Sequence, residues 1–326
     1  MTDSLAFVEV RNISRRFSDF AIDDVSFEIE KGDILTLMGE SGSGKTSILR
    51  MVSGLDMQDS GEIIIAGRNV TGMQAGKRNV GLIFQDLALF PHMNAYDNIA
   101  YGLRAKRYRE SVIEDKVEEI SKTLRISGLL KKYPGTISGG EKQRVAMARS
   151  LVMSPDILLM DEPMSSLDPG LRNDIMVEIK SISRKLGQTI IYVTHDVNEG
   201  LFLGDSVVFI ANGRVVRKGK PEEIWENPES EGLARFLGYN VLTINEEKIA
   251  VRSEDIEISE NGNISGTLLG YGYEGKGYRI KVDMENGEKI EIRSRELHPD
   301  VIKGIGTQIK FRLNVSGEKF NGRKIT

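Results

Sequence analysis

Gly39-Glu-Ser-Gly-Ser-Gly-Lys45-Thr46 follows the apolar run Ile34-Leu-Thr-Leu-Met38 and precedes the helix-like segment Ser47-Ile-Leu-Arg-Met-Val-Ser53. The spacing is G-x-x-x-x-G-K-T, set between a strand and a helix, the context in which such a loop cradles phosphate. Its glycines let the backbone close around phosphate oxygens with successive N–H groups pointing inward. The helix N-terminus adds the positive end of its dipole. On this reading Gly39, Ser41, Gly42, Ser43, Gly44 and Ser47 surround the phosphates. Lys45 reaches the β- and γ-phosphates and Thr46 offers its hydroxyl to Mg²⁺. The stretch marks a nucleoside triphosphate binder built on strand–loop–helix units.

Three further apolar runs end in groups that suit phosphate chemistry. Asn79-Val-Gly-Leu-Ile-Phe84 ends at Gln85, Ile157-Leu-Leu-Met160 at Asp161-Glu162-Pro163, and Thr189-Ile-Ile-Tyr-Val-Thr194 at His195. Ligands bind at the C-terminal ends of strands in parallel sheets, so these side chains are expected beside the phosphate loop. Asp161 suits orientation of Mg²⁺, and Glu162 suits general-base work on the attacking water. His195 is placed to hold the γ-phosphate or that water. Ser138-Gly139-Gly140 precedes a helix expected to start near Glu141, a second anion-binding N-terminus. One nucleotide needs one phosphate loop, so a second cradle implies a site shared between subunits.

Short apolar strands alternating with amphipathic helices predict an α/β layer fold with a largely parallel central sheet. The strands at 5–14 and 21–29 lack crossover helices and predict an antiparallel flank, while 92–153 reads mostly as helix, within a helical subdomain at about 86–153. Beyond Gly238 the chain becomes short β-like runs punctuated by glycine, the pattern of a small barrel. The boundary is expected between Leu237 and Leu242, giving domains 1–238 and 239–326. Gly270, Gly272, Gly275 and Gly277 fit either barrel turns or a small-anion site.

With 28% charged residues and a net charge of −4 over 326 residues, no global basic field recruits nucleic acid. The absence of cysteine excludes disulfides, thiolate metal sites and a cysteine nucleophile. Met1-Thr-Asp-Ser-Leu-Ala-Phe lacks the pattern of a secretory signal, and no apolar run reaches the length of a membrane span.

With these motifs in order, the first 235 or so residues resemble the ATPase subunit of an ABC transporter. Ile137-Ser-Gly-Gly-Glu-Lys-Gln-Arg144 is similar to the signature motif, Met164-Ser-Ser-Leu-Asp168 to the D-loop, Gln85 to the Q-loop and His195 to the switch histidine. Phe17 resembles the aromatic residue that stacks on adenine. The resemblance implies a P-loop NTPase (Walker A at Gly39–Thr46) with a mixed-sheet core, antiparallel flank and helical subdomain. It further implies a head-to-tail dimer, most simply a homodimer, with two ATP molecules between subunits. Each ATP is held by Lys45 and Thr46 of one chain and Ser138, Gly139 and Gly140 of the other. Glu162 and His195 drive hydrolysis, Asp168 communicates across the interface, and Gln85 senses Mg²⁺ and reports to the membrane subunit.

Glu40, Ile137, Glu141-Lys142 and Ser166 depart from the usual motif residues, and none removes a catalytic group. Phe84-Gln-Asp-Leu-Ala-Leu-Phe-Pro-His-Met93, Gly219-Lys-Pro-Glu-Glu-Ile-Trp225 and Val251-Arg-Ser-Glu-Asp255 resemble the sugar, iron, polyamine and molybdate importers, whose C-terminal β-domain is of TOBE type. The expected partners are integral permease subunits and, indirectly, an external solute-binding protein, at the cytoplasmic face of the cell membrane. Leu87, Leu89, Phe90 and Met93 fit either packing under the helical region or a groove for a coupling helix of the permease. The alternative is an ABC ATPase acting on nucleic acid or translation. Against it stand the missing coiled-coil insertion, the single phosphate loop and the acidic balance.

Overall fold

The computed structural model describes residues 6–165, 167–244 and 246–314, with the backbone of Arg323–Lys324. Two compact units divide the chain, Met1–Ile224 and Trp225–Thr326. In the first, β1 (Val8–Arg16), β2 (Ala21–Ile29), β3 (Ile34–Met38), α1 (Lys45–Ser53), β4 (Ser60–Ile65), β5 (Arg68–Asn69) and β6 (Val80–Ile83) come first. Helices α2 (Ala95–Ala105), α3 (Glu110–Thr123) and α4 (Gly139–Leu151) follow. Then come β7 (Ile157–Asp161), α5 (Pro169–Leu186), β8 (Thr189–Thr194), α6 (Val197–Leu203), β9 (Ser206–Ala211) and β10 (Arg214–Gly219).

The central sheet has the order β10-β9-β3-β8-β7-β6. Strands β9, β3, β8, β7 and β6 run parallel, and β10 returns antiparallel through the Asn212-Gly213 turn, where both residues have positive φ (48° and 74°). That pair matches a two-residue hairpin whose twist suits its strands. Successive side chains on the parallel strands β3, β7 and β8 alternate between two cores. Ile34, Leu158, Met160, Ile190 and Tyr192 face the core under the helices, while Leu35, Leu37, Ile157, Leu159, Ile191 and Val193 face the core shared with α1 and the flanking strands. A sheet covered on both faces needs apolar side chains at every position, which is why these strands read as unbroken apolar runs. The expected flank is the antiparallel sheet β2-β1-β4-β5.

The division falls within α7 (Pro221–Glu226), and the second unit continues with α8 (Glu231–Phe236), β11 (Asn240–Ile244), β12 (Glu247–Val251), β13 (Ile256–Ile258), β14 (Ile264–Tyr273), β15 (Tyr278–Met284), β16 (Lys289–Ser294), α9 (Pro299–Ile302), β17 (Gln308–Leu313) and β18 (Arg323–Lys324). The antiparallel sheet β13-β17-β14-β15-β16 nearly closes into a barrel around Leu268, Ile280, Val282, Ile292, Ile309 and Phe311. Gly275 (φ 66°) lies between β14 and β15, and a Cβ on Gly277 would come 2.5 Å from the Ser294 carbonyl. Both glycines thus have a backbone reason to be there.

The division falls before the 237–242 junction expected from the change in composition. Trp225 groups with the C-terminal unit because the Arg252 guanidinium lies 3.9 Å from its ring and 4.4 Å from that of Tyr239. Tyr239 Oη and Arg252 Nη2 also donate to the Trp225 carbonyl, at 2.7 and 2.9 Å. Deletion of everything after Gly238 is expected to leave the first unit folded, read as a retained cooperative thermal transition. Loss of that transition would show that the first unit depends on the second.

Candidate nucleotide site

Strand register brings the site together. Leu37 and Asp161 both pair with Val193, Met38 with Thr194, and Ile83 with Met160. Continuing each strand by one or two residues puts Gly39, His195, Glu162 and Gln85 within a step of one row, at the C-terminal edge of the parallel sheet.

The phosphate loop needs its glycines. Gly39 (φ 153°) passes so close to the neighbouring strand that a Cβ would stand 2.2 Å from the Ile210 carbonyl. At Gly44 (φ 106°) a Cβ would strike Ile22 and Phe20. Gly44 is the N-cap of α1 and supplies no side-chain acceptor, so the first N–H groups of the helix are left for a ligand. Ser43 Oγ is buried without a hydrogen-bond partner, close to where a Gly39 side chain would be. A buried hydroxyl in that condition fits a ligand carrying acceptor oxygens.

Lys45 is 4% exposed, and its Nζ donates to the carbonyls of Gly39 and Glu40, both at 2.8 Å. Burial pulls its pKa down, and the charges of Glu162, Asp161 and Glu40 oppose the fall. Thr46 Oγ1 donates to Asp161 Oδ1 at 3.0 Å. Burial raises the Asp161 pKa, with the Thr46 hydrogen bond working against it and the Glu162 charge adding to it. A hydroxyl and a carboxylate at this separation are hard oxygen donors of the kind Mg²⁺ takes alongside phosphate.

Glu162 sits at φ 44°, a left-handed conformation that costs a non-glycine residue about 1–2 kcal/mol. Its N–H is held by the Val193 carbonyl at 3.1 Å, and its Oε2 lies 2.8 Å from His195 Nδ1. A carboxylate oxygen accepts, so Nδ1 is the donor in this contact. The predicted base and the predicted switch residue are therefore in direct contact.

The second cradle differs in detail from its expectation. Helix α4 begins at Gly139, not near Glu141, because Ser138 is its N-cap and Glu141 folds back to accept from the Ser138 N–H at 2.7 Å. Those hydrogen bonds hold the Glu141 carboxyl below its usual range. Gly139 and Gly140 also have a packing reason, since a Cβ on either would approach Leu167 or Leu171 at 2.9–3.0 Å. Asp168 is the N-cap of α5, accepting from Leu171 N at 3.0 Å. Ser166, one of the noted departures, lies outside the described residues.

Gln85 is exposed. Beyond it Leu87 and Leu89 pack partly under the helical region, whereas Phe84 and Tyr101 are 37% and 47% exposed. Phe90 lies 4.7 Å from Tyr101 by ring centroids. Phe17 stacks on Phe20 at 6.2 Å, and the Arg15 guanidinium lies over the Phe17 ring at 4.8 Å. Sequence reading missed Phe20, which abuts Gly44, and Arg149, which donates to the carbonyls of Ala88 and Leu87 at 2.6 and 2.9 Å. Neither belongs to a local motif. Among the described residues no helix is long and apolar enough to cross a membrane.

A profile of the ABC transporter family matches residues 22–165, which include the phosphate loop and Asp161-Glu162. The chain is 42% identical over 274 residues to the molybdate/tungstate import ATP-binding protein WtpC of Pyrococcus abyssi, covering 77% of this chain and 80% of that protein. It is 44% identical over 232 residues to the Fe(3+) ions import ATP-binding protein FbpC 1 of Rhizobium meliloti, covering 71% of this chain and 66% of that one. The first alignment is longer than the Met1–Ile224 unit and so runs into the C-terminal one. Among solved structures, cbiO1 of Clostridium perfringens, part of the transporter complex cbiONQ, gives a TM-score of 0.63 at 28% identity over 71% of this chain and 93% of that one. These relatives lend no support to a role on nucleic acid or in translation. The chain belongs to the ABC transporter family, among its import ATP-binding subunits, and is an ATPase.

Proposed function

We propose that two copies of this chain close head to tail on two ATP molecules and drive solute import through a membrane permease, from the cytoplasmic face of the membrane. The Glu162–His195 contact at 2.8 Å, level with the phosphate loop, is the observation that carries the reading. Lys45 and the open N-terminus of α1 hold the phosphates. Thr46, Asp161 and Gln85 would hold Mg²⁺, which would supply neutralisation of charge on the phosphate oxygens. Glu162 takes the proton of the attacking water, while His195, donating from Nδ1 to Glu162 Oε2, fixes the direction of that carboxylate.

Ser138, Gly139 and Gly140 of one subunit serve the ATP of the other, with Asp168 at the interface and Phe17 against the adenine. ATP binds the closed arrangement better than the open one, so binding closes the dimer and hydrolysis releases it. The exposed rings of Phe84 and Tyr101, with half-buried Phe90 against Tyr101, are the surface offered to the permease.

The test is a pull-down from native membranes, in ATP, with the Glu162→Gln protein. Co-purification of a multi-span permease is expected; recovery of only soluble partners or nucleic acid would overturn the transport reading. Tyr101→Glu should sharply reduce permease recovery yet leave hydrolysis by the isolated chain within about twofold, since surface changes rarely disturb a fold. Undiminished recovery would remove this surface from the docking role.

A further inference from the structure

Arg172 lies in the first turn of α5, just after the Asp168 N-cap. A cation there faces the positive end of the helix dipole, so helix stability does not select it. Its contacts do. Nη2 donates to the Leu167 carbonyl at 3.2 Å, Nη1 to Asp196 Oδ2 at 3.3 Å, and Nε stands 3.5 Å from Glu199 Oε1.

The acceptors lead directly to the switch histidine. Glu199 is 4% exposed, and its other oxygen accepts from Tyr192 Oη and Thr194 Oγ1, both at 2.8 Å. Thr194 Oγ1 in turn accepts from the Asp196 N–H at 2.9 Å, and Asp196 Oδ1 caps α6 through the N–H groups of Asn198 and Glu199. The residues on both sides of His195 are thus fastened to Glu199 and Arg172. His195 itself holds Glu162.

We infer that Arg172 is a positioning residue that brackets the loop carrying Asp168 to the loop carrying His195. Displacement of the Asp168 loop then moves the histidine that orients the Glu162 carboxylate. The inference rests on the roles proposed above for Asp168, Glu162 and His195. It assigns Arg172, Asp196 and Glu199 the task of passing the state of the subunit interface to the hydrolytic pair. A lysine cannot replace the bracket, because only the planar guanidinium donates to the Leu167 carbonyl and to Asp196 in fixed directions while its Nε faces the Glu199 charge.

The test uses the full chain with Arg172→Met, Arg172→Lys, Glu199→Gln and the double variant Arg172→Met/Glu199→Gln. Glu199→Gln keeps an acceptor for Tyr192 and Thr194 while removing the charge facing Arg172. Steady-state hydrolysis gives kcat and KM, and thermal unfolding is followed alongside. Misplacement of the hydrolytic pair predicts a kcat loss of about tenfold to a hundredfold in Arg172→Met, with KM for ATP within about twofold. Arg172→Lys should recover only a minor part of the loss, and the double variant should fall well short of the product of the two single effects. A normal kcat in Arg172→Met would overturn the inference. So would a loss explained by a lower melting temperature, full rescue by lysine, or strictly multiplicative single effects. Glu162→Gln measured in parallel separates the two readings. Normal turnover there removes Glu162 as the base, whereas an inactive Glu162→Gln beside an unaffected Arg172→Met removes only the bracket.

Discussion

Glu162→Gln is expected to lower steady-state ATP hydrolysis by about two to four orders of magnitude, the usual worth of a positioned general base. The amide keeps the shape of the side chain and can still accept from His195 Nδ1, so the loop and its contact survive. What disappears is the ability to take a proton from water. Lys45, Thr46 and the N-terminus of α1 are untouched, so ATP affinity should stay within a few-fold of the parent protein. With closure permitted and hydrolysis blocked, the ATP-bound dimer should accumulate and elute earlier in gel filtration with ATP than without it. Phosphate release, nucleotide binding by calorimetry and elution volume are the three measurements. Normal turnover would take the role of base away from Glu162, and lost ATP binding would mean that the substitution disturbed the phosphate loop.

Arg78→Met should be the most destabilising single substitution outside the site. Arg78 is fully buried, and no carboxylate among the described residues pairs with it. Its guanidinium donates instead to four carbonyls, those of Met73 at 2.7 Å, Met51 at 2.7 Å, Val52 at 3.0 Å and Thr71 at 2.9 Å. Met51 and Val52 belong to the last turn of α1, whose carbonyls have no partner within the helix. A cation at that end also complements the helix dipole. The packing is close enough that Gly54 (φ 78°) has no room for a Cβ, which would lie 2.5 Å from Arg78 Nε. Methionine fills much of the volume but takes the donor away from the Val52, Thr71 and Met73 carbonyls and leaves Met51 only the Gly54 N–H, a loss of about 3–5 kcal/mol. For a unit of this size that corresponds to a fall in melting temperature of about 6–20 °C. Calorimetry of the full chain should show it in the transition of the first unit. A shift of only a degree or two would mean that the cage relaxes or that water replaces the guanidinium.

Much of the site was legible because its signals are local. The phosphate loop, the carboxylates after Met160 and the histidine after Thr194 each stand at the end of an apolar run that a two-sided sheet requires. The antiparallel flank and the C-terminal barrel-like sheet were visible as strands without crossover helices and as closely spaced β runs broken by glycine. The start of α4 was misread by two residues because glycines look like loop, whereas the capping box that begins the helix depends on Glu141 turning back to Ser138. Composition changes after Gly238, whereas the compact units divide after Ile224, and the stacking of Arg252 on Trp225 and Tyr239 is invisible along the chain.

The sequence by itself determined what kind of chemistry this protein performs. Backbone wrapping, strand burial and helix starts depend on residue types within a few positions of one another, and those patterns can be read in order. Tertiary structure alone decided which polar groups meet. The Glu162–His195 contact joins residues 33 apart, Arg78 reaches carbonyls up to 27 residues away, and Arg172 reaches Asp196 across 24. Such pairings leave no periodicity, because a single buried donor needs only an acceptor within hydrogen-bond distance, and the packing of the whole unit determines which acceptor that is.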